Sequence, residues 1–433
     1  MLKKILTFAI IIVFAIVFQA DIVPDRLPRE DFYFRELVRI LDDPDHSYRI
    51  DELEQFAEMM SKRLNGTMLI AKHDTILVEH GYGLLHLFKS AEGYGPRTAA
   101  ELTALQKHPG NQMSPTALFD LASVSKQFTA AAILKLCSEG KMHLSDNLSQ
   151  YLPELPYKKV TIKQLLTHTA GIPEYFDFSY NCYDTSMFVD NTQLMSILAK
   201  KQLAPIFKPG TKFEYVNTNY AILATIVEIV SGQSFETYVH ENLWRPAGME
   251  HTLFFTELVG IDGIHEELLD TVKKGQHSVP IFPNEGITEC AITRGHWKSG
   301  IRTNYDRLNG VLGDKGVYSN VEDLCRWANA YFMEYKIIPK EWIEKAIQCE
   351  NVLSNGKTPE KLYGYGVRIE RSPAHGTLIY HGGLWNGYQN LFLYRPKDGL
   401  QIIFLSNYYN ASHLGKNELI LNIIDRQDTT ATQ

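Results

Sequence analysis

One segment carries a serine three residues before a lysine in an apolar setting: Leu121-Ala122-Ser123-Val124-Ser125-Lys126-Gln127-Phe128-Thr129-Ala130. A serine hydroxyl is a weak nucleophile until a base removes its proton. Residues three positions apart lie on one face of a helix, so the Nζ atom of Lys126 can reach the Oγ atom of Ser123. Apolar neighbours disfavour an ammonium and lower the pKa of a lysine toward that of a base. The segment therefore predicts a nucleophile, Ser123, activated by Lys126.

The Ser-x-x-Lys spacing has little specificity on its own. It occurs again at Ser138-Glu139-Gly140-Lys141, where Gly140 is expected to end a helix rather than to place a nucleophile. If Ser123 opens its helix, in contrast, its own backbone N–H is unpaired and can help to bind an oxyanion. The prediction therefore depends on what the rest of the chain supplies.

A second element is the triplet Tyr215-Val216-Asn217. A tyrosine beside an ammonium can relay protons, and an asparagine amide can donate to a substrate carbonyl while it accepts from the lysine. The same spacing recurs at Tyr318, Tyr388 and Tyr408. Two of those copies lie in or next to predicted strands, where packed aromatic side chains are the simpler interpretation.

The third element, His381-Gly382-Gly383, follows a predicted strand. A cation here would steer an anionic substrate group or lower the pKa of the lysine and tyrosine, and glycines let a backbone approach a ligand closely. The next residue, Leu384, would supply a second oxyanion N–H. A purely structural histidine is the open alternative. A competing Lys298-Ser299-Gly300 lies outside any strand pattern.

Strand patterns occur at both ends of the chain and helical patterns between them. A hairpin is predicted at residues 67–78 around His73-Asp74, and three strands at Thr377–Tyr380, Gln389–Tyr394 and Leu400–Leu405, with Gly382-Gly383 as a turn signal. Helices are predicted at Asp31–Leu64, Thr116–Glu139, Ile162–Leu166, Thr192–Lys200, Tyr220–Val230, Val321–Met333 and Lys416–Ile424. These patterns predict an α+β fold with one antiparallel sheet of N- and C-terminal strands, flanked by helices, and a mostly helical lobe over residues 141–345. The cleft between sheet and lobe is the expected site.

The N-terminus has the pattern of a secretory signal peptide. Lys3 and Lys4 precede an apolar run, Ile5–Phe18, that is short for a membrane span. Phe18 occupies a position where cleavage after Ala20 prefers a small residue, so an uncleaved N-terminal anchor stays open. We therefore predict a signal or anchor over residues 1–20, a helical extension over 21–65 and one catalytic domain over 66–425, and a secreted or periplasmic location.

Composition excludes several classes of protein. The formal net charge of −7 argues against a nucleic-acid binder, which needs a basic face to neutralise phosphates. The five cysteines are dispersed without a Cys-x-x-Cys pair, which argues against a zinc or dithiol site and leaves disulfides and buried thiols both open. No Gly-x-Ser-x-Gly elbow is present, so an α/β-hydrolase is disfavoured. No metal or cofactor is predicted.

Taken in order between a hairpin and terminal strands, the three elements resemble the serine beta-lactamase-related family. That family contains class C beta-lactamases, D,D-carboxypeptidases, D-aminopeptidases and esterases. The resemblance covers about residues 66–410, and further segments support it: Leu165–Ile172, Pro209-Gly210, Gly248-Met249, Gly313–Ser319, Asn386–Tyr388 and Ser406-Asn407.

The resemblance implies a beta-lactamase/transpeptidase-like fold and an acyl-enzyme mechanism on an ester, amide or peptide bond. It implies Ser123 as nucleophile, Lys126 as its partner and Tyr215 as acid/base. The residues that it implies for substrate binding are Asn217, His381 in the cationic position, Gly383 and Leu384. One departure is Gly382, where relatives carry a serine or threonine, so a donor to a substrate carboxylate is missing. This departure favours an ester, amide or unusual peptide over a beta-lactam or a D-Ala-D-Ala peptide.

The implied partner is a small-molecule or peptide substrate, with cell-wall material as one source. Nucleic acid is not expected, and a membrane is expected only through the N-terminal segment. The alternative from a different class is a catalytically silent, penicillin-binding-like protein of the cell envelope. The presence of all three elements argues for the enzyme.

Overall fold

A seven-stranded antiparallel sheet forms the centre of the computed structural model, and strands from both ends of the chain build it. Its order is β2-β1-β10-β9-β8-β7-β6. The strands are β1 (Gly66–Lys72), β2 (Thr75–Tyr82), β6 (Lys361–Tyr363), β7 (Arg368–Ser372), β8 (Gly376–Trp385), β9 (Tyr388–Arg395) and β10 (Leu400–Ser406). The predicted sheet and fold class are confirmed.

The structure describes only part of the chain. Described are residues 50–61, 65–73, 75–85, 109–179, 189–259, 292–297, 300, 303, 305–348, 361–409 and 420–425, with a few single positions between 100 and 107. The predicted signal or anchor, most of the predicted extension over residues 21–65, and much of residues 84–113 and 257–312 lie outside these ranges. Residues 49–433 form one unit. No helix of the described ranges is long and apolar enough to cross a membrane.

The first and last strands of the domain lie side by side. β1 pairs with β10 from Gly66 opposite Ser406 to Lys72 opposite Leu400. Every residue of β9 and β10 is buried, because helices cover both faces of the sheet at its centre. The edge strand β2 has an exposed side. The pairing of β1 with β10 therefore places residues that are more than 300 positions apart in the sequence opposite each other.

Helices make up most of the remaining structure. They are α1 (Ile50–Ser61), α2 (Lys126–Ser138), α3 (Ile162–Leu166), α4 (Phe176–Ser179), α5 (Asn191–Lys201), α6 (Asn217–Ser231), α7 (Phe235–Val239), α8 (Arg245–Ala247), α9 (Phe255–Val259), α10 (Val321–Ala328), α11 (Lys340–Ile347) and α12 (420–425). A small antiparallel sheet orders β3 (Phe119–Asp120), β5 (Val317–Ser319) and β4 (Leu253–Phe254). Helix α2 is apolar nearly all round and buried, and it packs against α6.

Two local predictions are wrong. The stretch Thr116–Glu139 is not one helix, because β3 and a 3₁₀ turn at Ala122–Ser125 precede α2. The pair Gly382-Gly383 is not a turn but lies inside β8, and the chain reverses at Asn386 and Gly387, which both have positive φ. Strands β6 and β7 were not predicted.

Candidate active site

Ser123 lies in a tight turn between β3 and α2. Ala122, just before it, has a φ of +49°, a conformation that costs free energy in a residue with a side chain. The buried Asp120 side chain accepts a hydrogen bond from the Ala122 N–H at 2.8 Å and holds the turn. Strain of this kind concentrates at functional sites. The turn leaves Ser123 only partly buried at the start of a buried helix.

Strand β8 passes close behind this turn. A Cβ atom at Gly383 would stand 2.2 Å from the Leu121 carbonyl oxygen, so only glycine permits the approach. At Gly382, in contrast, the one atom of the described residues within 4 Å of such a Cβ is the Asn390 carbonyl oxygen, at 3.7 Å. The absent hydroxyl at Gly382 is therefore not a consequence of crowding.

Lys126 is fully buried and its Nζ atom has three partners. They are Ser123 Oγ at 3.0 Å, Asn217 Oδ1 at 2.8 Å and the Asp314 carbonyl oxygen at 2.8 Å. The last two atoms can only accept. An ammonium would donate to all three, whereas a neutral amine would use both its protons on Asn217 and Asp314 and turn its lone pair to Ser123. The geometry accommodates both states.

Glu174 fixes the orientation of the Asn217 amide. Its Oε2 atom accepts from Asn217 Nδ2 at 3.0 Å and from the Asn217 backbone N–H at 2.8 Å. This contact turns Oδ1 toward Lys126 and leaves the second Nδ2 proton for another acceptor. Burial raises the pKa of Glu174. Sequence reasoning missed this residue, since a glutamate after Leu165–Ile172 carries no motif.

The Asp314 carbonyl oxygen, which accepts from Lys126 Nζ, belongs to a segment that is held in place by a buried ionic group. Lys315 lies 3.7 Å from the Asp314 carboxylate and donates to Tyr175 Oη at 2.9 Å and to two backbone carbonyls. The Tyr175 hydroxyl donates in turn to Asp314 Oδ2 at 3.1 Å. Burial lowers the pKa of Lys315. This group holds the 308–315 segment against Lys126.

Tyr215 is beside Lys126, but only through its ring. The ring centroid lies 5.0 Å from Lys126 Nζ. The hydroxyl is buried and forms no hydrogen bond with the described residues. A proton relay through Tyr215 stays a prediction.

His381 does not supply the expected cation. Its side chain is buried on β8, and burial, together with Arg368 and Lys126, holds the pKa of His381 well below its usual range. Nδ1 donates to the Gly382 carbonyl oxygen at 2.7 Å, which leaves Nε2 to accept from the Tyr363 hydroxyl at 3.0 Å. Both partners can accept, so the contacts themselves suit either protonation state of the ring. Burial, through the lowered pKa, argues against the positive charge expected at His381.

The positive charge on this side of the site belongs to Arg368. Its guanidinium carbon lies 5.4 Å from the Tyr215 ring centroid and 5.8 Å from that of Tyr363. The side chain is partly exposed, and no carboxylate of the described ranges pairs with it. Arg368 starts β7, a strand that the sequence pattern did not reveal, so sequence reasoning missed it.

Leu384 lies on β8 beyond the end of the β7 pairing. The last β7–β8 pair is Arg368 opposite Tyr380, whereas pairing with β9 continues to Trp385. Within the described ranges, residues 381–385 therefore have a strand partner on one side only. The Leu384 side chain is 53% exposed. Its assignment as an oxyanion donor stays a prediction.

The comparisons with known proteins settle the family. The beta-lactamase family model matches residues 53–424. The chain belongs to the beta-lactamase family. Its match begins within α1, ahead of the first strand of the sheet.

Two curated relatives share most of the chain. Penicillin-binding protein 4* of Bacillus subtilis (strain 168) is 30% identical over 346 residues, covering 80% of this chain and 68% of the relative. Protein flp of Staphylococcus aureus (strain N315) is 24% identical over 373 residues, covering 84% of this chain and 63% of the relative. The chain thus spans about two thirds of the length of these family members.

Solved structures of the family's fold are also similar. The octameric penicillin-binding protein homologue from Pyrococcus abyssi has a TM-score of 0.62 at 24% identity, over 84% of this chain and 74% of that one. The D-amino acid amidase from Ochrobactrum anthropi SV3, complexed with L-phenylalanine amide, has a TM-score of 0.62 at 15% identity, over 92% and 99%. At these identities the likeness shows the fold. The family includes hydrolases, and the resemblance drawn from the three sequence elements is confirmed.

Proposed function

We propose that this chain is a serine hydrolase that cleaves an ester, amide or peptide bond through an acyl-enzyme on Ser123. The observation that carries the proposal is the environment of Lys126. Its Nζ atom is buried, lies 3.0 Å from Ser123 Oγ, and has its other two contacts with atoms that can only accept. Among the hydrogen-bond partners of Lys126 in the described ranges, Ser123 is therefore the one that can give it a proton.

In the proposed acylation step, Ser123 Oγ attacks the substrate carbonyl carbon while its proton passes to the Lys126 amine. The carbonyl π electrons move onto oxygen, and the backbone N–H groups of Ser123 and Leu384 stabilise the oxyanion. When the carbonyl re-forms, the bond to the leaving group breaks, and the proton that Lys126 took from Ser123 passes to that group by way of the Tyr215 hydroxyl. Asn217 would orient the acyl part through its remaining Nδ2 proton.

Tyr215 completes the proposal as the acid/base of the later steps. Its unbonded hydroxyl is available to a leaving group or to the water that hydrolyses the acyl-enzyme. The water oxygen would bond to the acyl carbon while one water proton passes through the Tyr215 hydroxyl to Lys126. As the ester bond to Ser123 breaks, Lys126 returns that proton to Ser123 Oγ and the carboxylic acid product leaves. The role requires the hydroxyl to come within hydrogen-bond reach of substrate.

The residues around β8 favour an ester, amide or unusual peptide as substrate. Gly382 lacks the hydroxyl that would bind a carboxylate, and the neutral His381 has both ring nitrogens engaged. A carboxylate would have to rely on Arg368. Efficient cleavage of beta-lactams or D-Ala-D-Ala peptides is therefore not expected.

A hydrolysis panel tests the proposal. The full chain is given p-nitrophenyl acetate, nitrocefin and a D-Ala-D-Ala peptide, with Ser123→Ala as the control. We expect the short ester to be cleaved faster than nitrocefin and all cleavage to be lost in Ser123→Ala. Faster cleavage of nitrocefin would contradict the interpretation of Gly382, and activity retained in Ser123→Ala would contradict the nucleophile.

The second candidate is a catalytically silent, penicillin-binding-like envelope protein. The observation that favours it is that Tyr215 faces Lys126 with its ring, whose centroid lies 5.0 Å from Nζ, so that no hydrogen bond for a proton relay joins these two side chains. Absence of any product release, together with no labelling of Ser123 by a fluorophosphonate or a fluorescent penicillin, would support this candidate. Export, proposed from the Lys3-Lys4 and Ile5–Phe18 pattern, is tested by fractionating cells that express the full chain.

A further inference from the structure

His168 is a buried histidine behind the Tyr215-Val216-Asn217 segment, and the proposed mechanism does not use it. Its Nδ1 atom accepts a hydrogen bond from the Val216 N–H at 3.1 Å. Its backbone carbonyl accepts from the Glu214 N–H at 2.9 Å. The Asn219 amide nitrogen approaches Nδ1 to 3.3 Å. His168 thus contacts the chain just before Tyr215, between Tyr215 and Asn217, and just after Asn217.

The protonation state of His168 follows from these contacts. Burial, with Lys126, His381 and Arg368 nearby, holds the pKa of His168 well below its usual range. Since Nδ1 accepts from a backbone N–H, the ring proton is on Nε2. Nε2 is buried and has no hydrogen-bond partner in the described ranges, which is costly. The tautomer that lets Nδ1 accept from the Val216 N–H therefore leaves the buried Nε2–H without a partner in the described ranges.

The imidazole ring also packs against the side chains of the site. Its centroid lies 4.4 Å from that of Tyr215 and 4.7 Å from that of Tyr363. Tyr363 in turn donates to His381. The φ of His168 is +55°, a left-handed conformation that is uncommon in residues with a side chain and that asparagine, aspartate and histidine adopt most readily. An uncommon backbone conformation and a buried imidazole with one unpaired nitrogen both cost free energy, and such costs concentrate at functional sites.

We infer that His168 is a positioning residue that sets the backbone between Tyr215 and Asn217 through its Nδ1 acceptor and the Tyr215 ring through its packing. The inference rests on the proposed function and extends it to a residue with no chemical step of its own. Displacements of about 1 Å at a catalytic group can cost about 100-fold in rate, so this role is measurable.

Two substitutions separate the acceptor from the ring. His168→Asn keeps an acceptor, because Oδ1 stands as many bonds from Cα as Nδ1 does, and asparagine tolerates positive φ. His168→Phe keeps a planar ring and removes the acceptor. Thr252→Val is the control, since it removes a buried hydroxyl that bonds Asp323 and Ser319. Each full-length variant is assayed with p-nitrophenyl acetate, and hydrogen exchange is followed in the peptide spanning residues 213–219.

We expect His168→Phe to lower kcat about 30- to 100-fold with KM within about twofold of wild type, and His168→Asn to recover most of that loss. Exchange of the 213–219 peptide should accelerate in His168→Phe and stay slow in His168→Asn and Thr252→Val. Unchanged exchange and kcat in His168→Phe would overturn the inference, as would an Asn variant no better than Phe. An inactive wild type with the predicted exchange pattern would overturn the proposed function and leave the positioning role standing.

Discussion

Lys126 is the residue on which the proposed chemistry depends, because its two acceptor contacts leave Ser123 as its single proton source. Lys126→Met should lower kcat/KM for p-nitrophenyl acetate by about 100- to 10,000-fold, the contribution typical of a positioned general base. Lys126→Arg serves as the control because it keeps the positive charge and cannot act as a neutral base. Equal loss in both variants supports proton transfer. Substantial activity in Lys126→Arg would mean that Lys126 acts by charge alone.

Arg368 should determine how the site responds to negative charge in a substrate. It is partly exposed beside the Tyr215 ring, and no carboxylate within the described ranges neutralises it. Arg368→Gln should raise KM for an ester that bears a carboxylate about 10-fold and leave KM for p-nitrophenyl acetate nearly unchanged, in line with loss of one charge-assisted hydrogen bond. Steady-state kinetics with the matched ester pair measures the difference. Equal changes for both esters would contradict this role.

Among individual residues, those that belong to a sequence motif were predicted, whereas those that come close to the site only through the tertiary fold were missed. Ser123 and Lys126 are local, and their 3.0 Å contact follows from helical spacing. Glu174 and Arg368 reach the site through tertiary packing that no spacing encodes. The lowered pKa of His381 was not foreseen because a sequence does not show burial, and burial disfavours the charged form of a histidine.

The 3₁₀ turn at Ala122–Ser125 and strand β8 act together at the scale of the elements. Gly383→Ala would place a Cβ 2.2 Å from the Leu121 carbonyl oxygen, so the strand and the turn must separate. We expect a loss of about 1–3 kcal/mol in the free energy of unfolding, as for other overpacked sites, and a loss of activity of about 100-fold.

The control for this substitution is Gly382→Ala, one position earlier on the same strand. Its Cβ would meet one atom at 3.7 Å, an ordinary contact. Thermal unfolding and p-nitrophenyl acetate kinetics should therefore stay close to wild type. If the two alanine variants behave alike, close approach of β8 to the Ser123 turn is not what the site requires.

Elements with strong local patterns were predicted well and the others were not. The β1–β2 hairpin and α3 have clear periodicity and were found where expected. Strand β6 has only three residues and β7 is largely charged, so neither carries a strong local pattern; β7 is placed by its pairing with β8 and β6 by its pairing with β7. The Gly382-Gly383 pair resembles a turn in sequence, yet it is held extended by its neighbour β9.

The stability of the whole molecule should depend on pH through a buried carboxyl. Burial raises the pKa of Asp120 to about 7, with Lys315 and Asp314 as the charged groups that face it. Between about pH 4 and 7 the folded state therefore holds a proton that the unfolded chain, with a pKa near 3.9, has already released, and stability falls across this interval. The stability that Asp120 contributes is therefore present at low pH and is lost as pH rises through about 7.

Urea unfolding of wild type and Asp120→Asn at pH 5 and pH 8 tests this linkage. Asparagine keeps the acceptor for the Ala122 N–H and cannot titrate. The free energy of unfolding of wild type, relative to Asp120→Asn, should fall by about 1–3 kcal/mol from pH 5 to pH 8. A parallel pH dependence in the two proteins would show that Asp120 does not titrate in this range.

At the scale of the molecule, the fold follows from the placement of strands at both ends of the sequence. Strands β1 and β10 pair along their full length, and the chain between them supplies the helices that cover the sheet and carry Lys126 and Asn217. The α+β class was therefore predictable from the order of the patterns. The surroundings of Lys126 and Tyr215 were not, because they depend on how the segments around residues 174, 314 and 368 pack.

The most direct test of the central claim is intact-protein and peptide mass spectrometry after brief reaction with a fluorophosphonate probe. Ser123, activated by Lys126, should carry one adduct on the peptide that contains residues 121–126. Labelling should be absent in Ser123→Ala and strongly slowed in Lys126→Met. No adduct on the wild-type chain, or an adduct on another residue that persists in Ser123→Ala, would contradict the account.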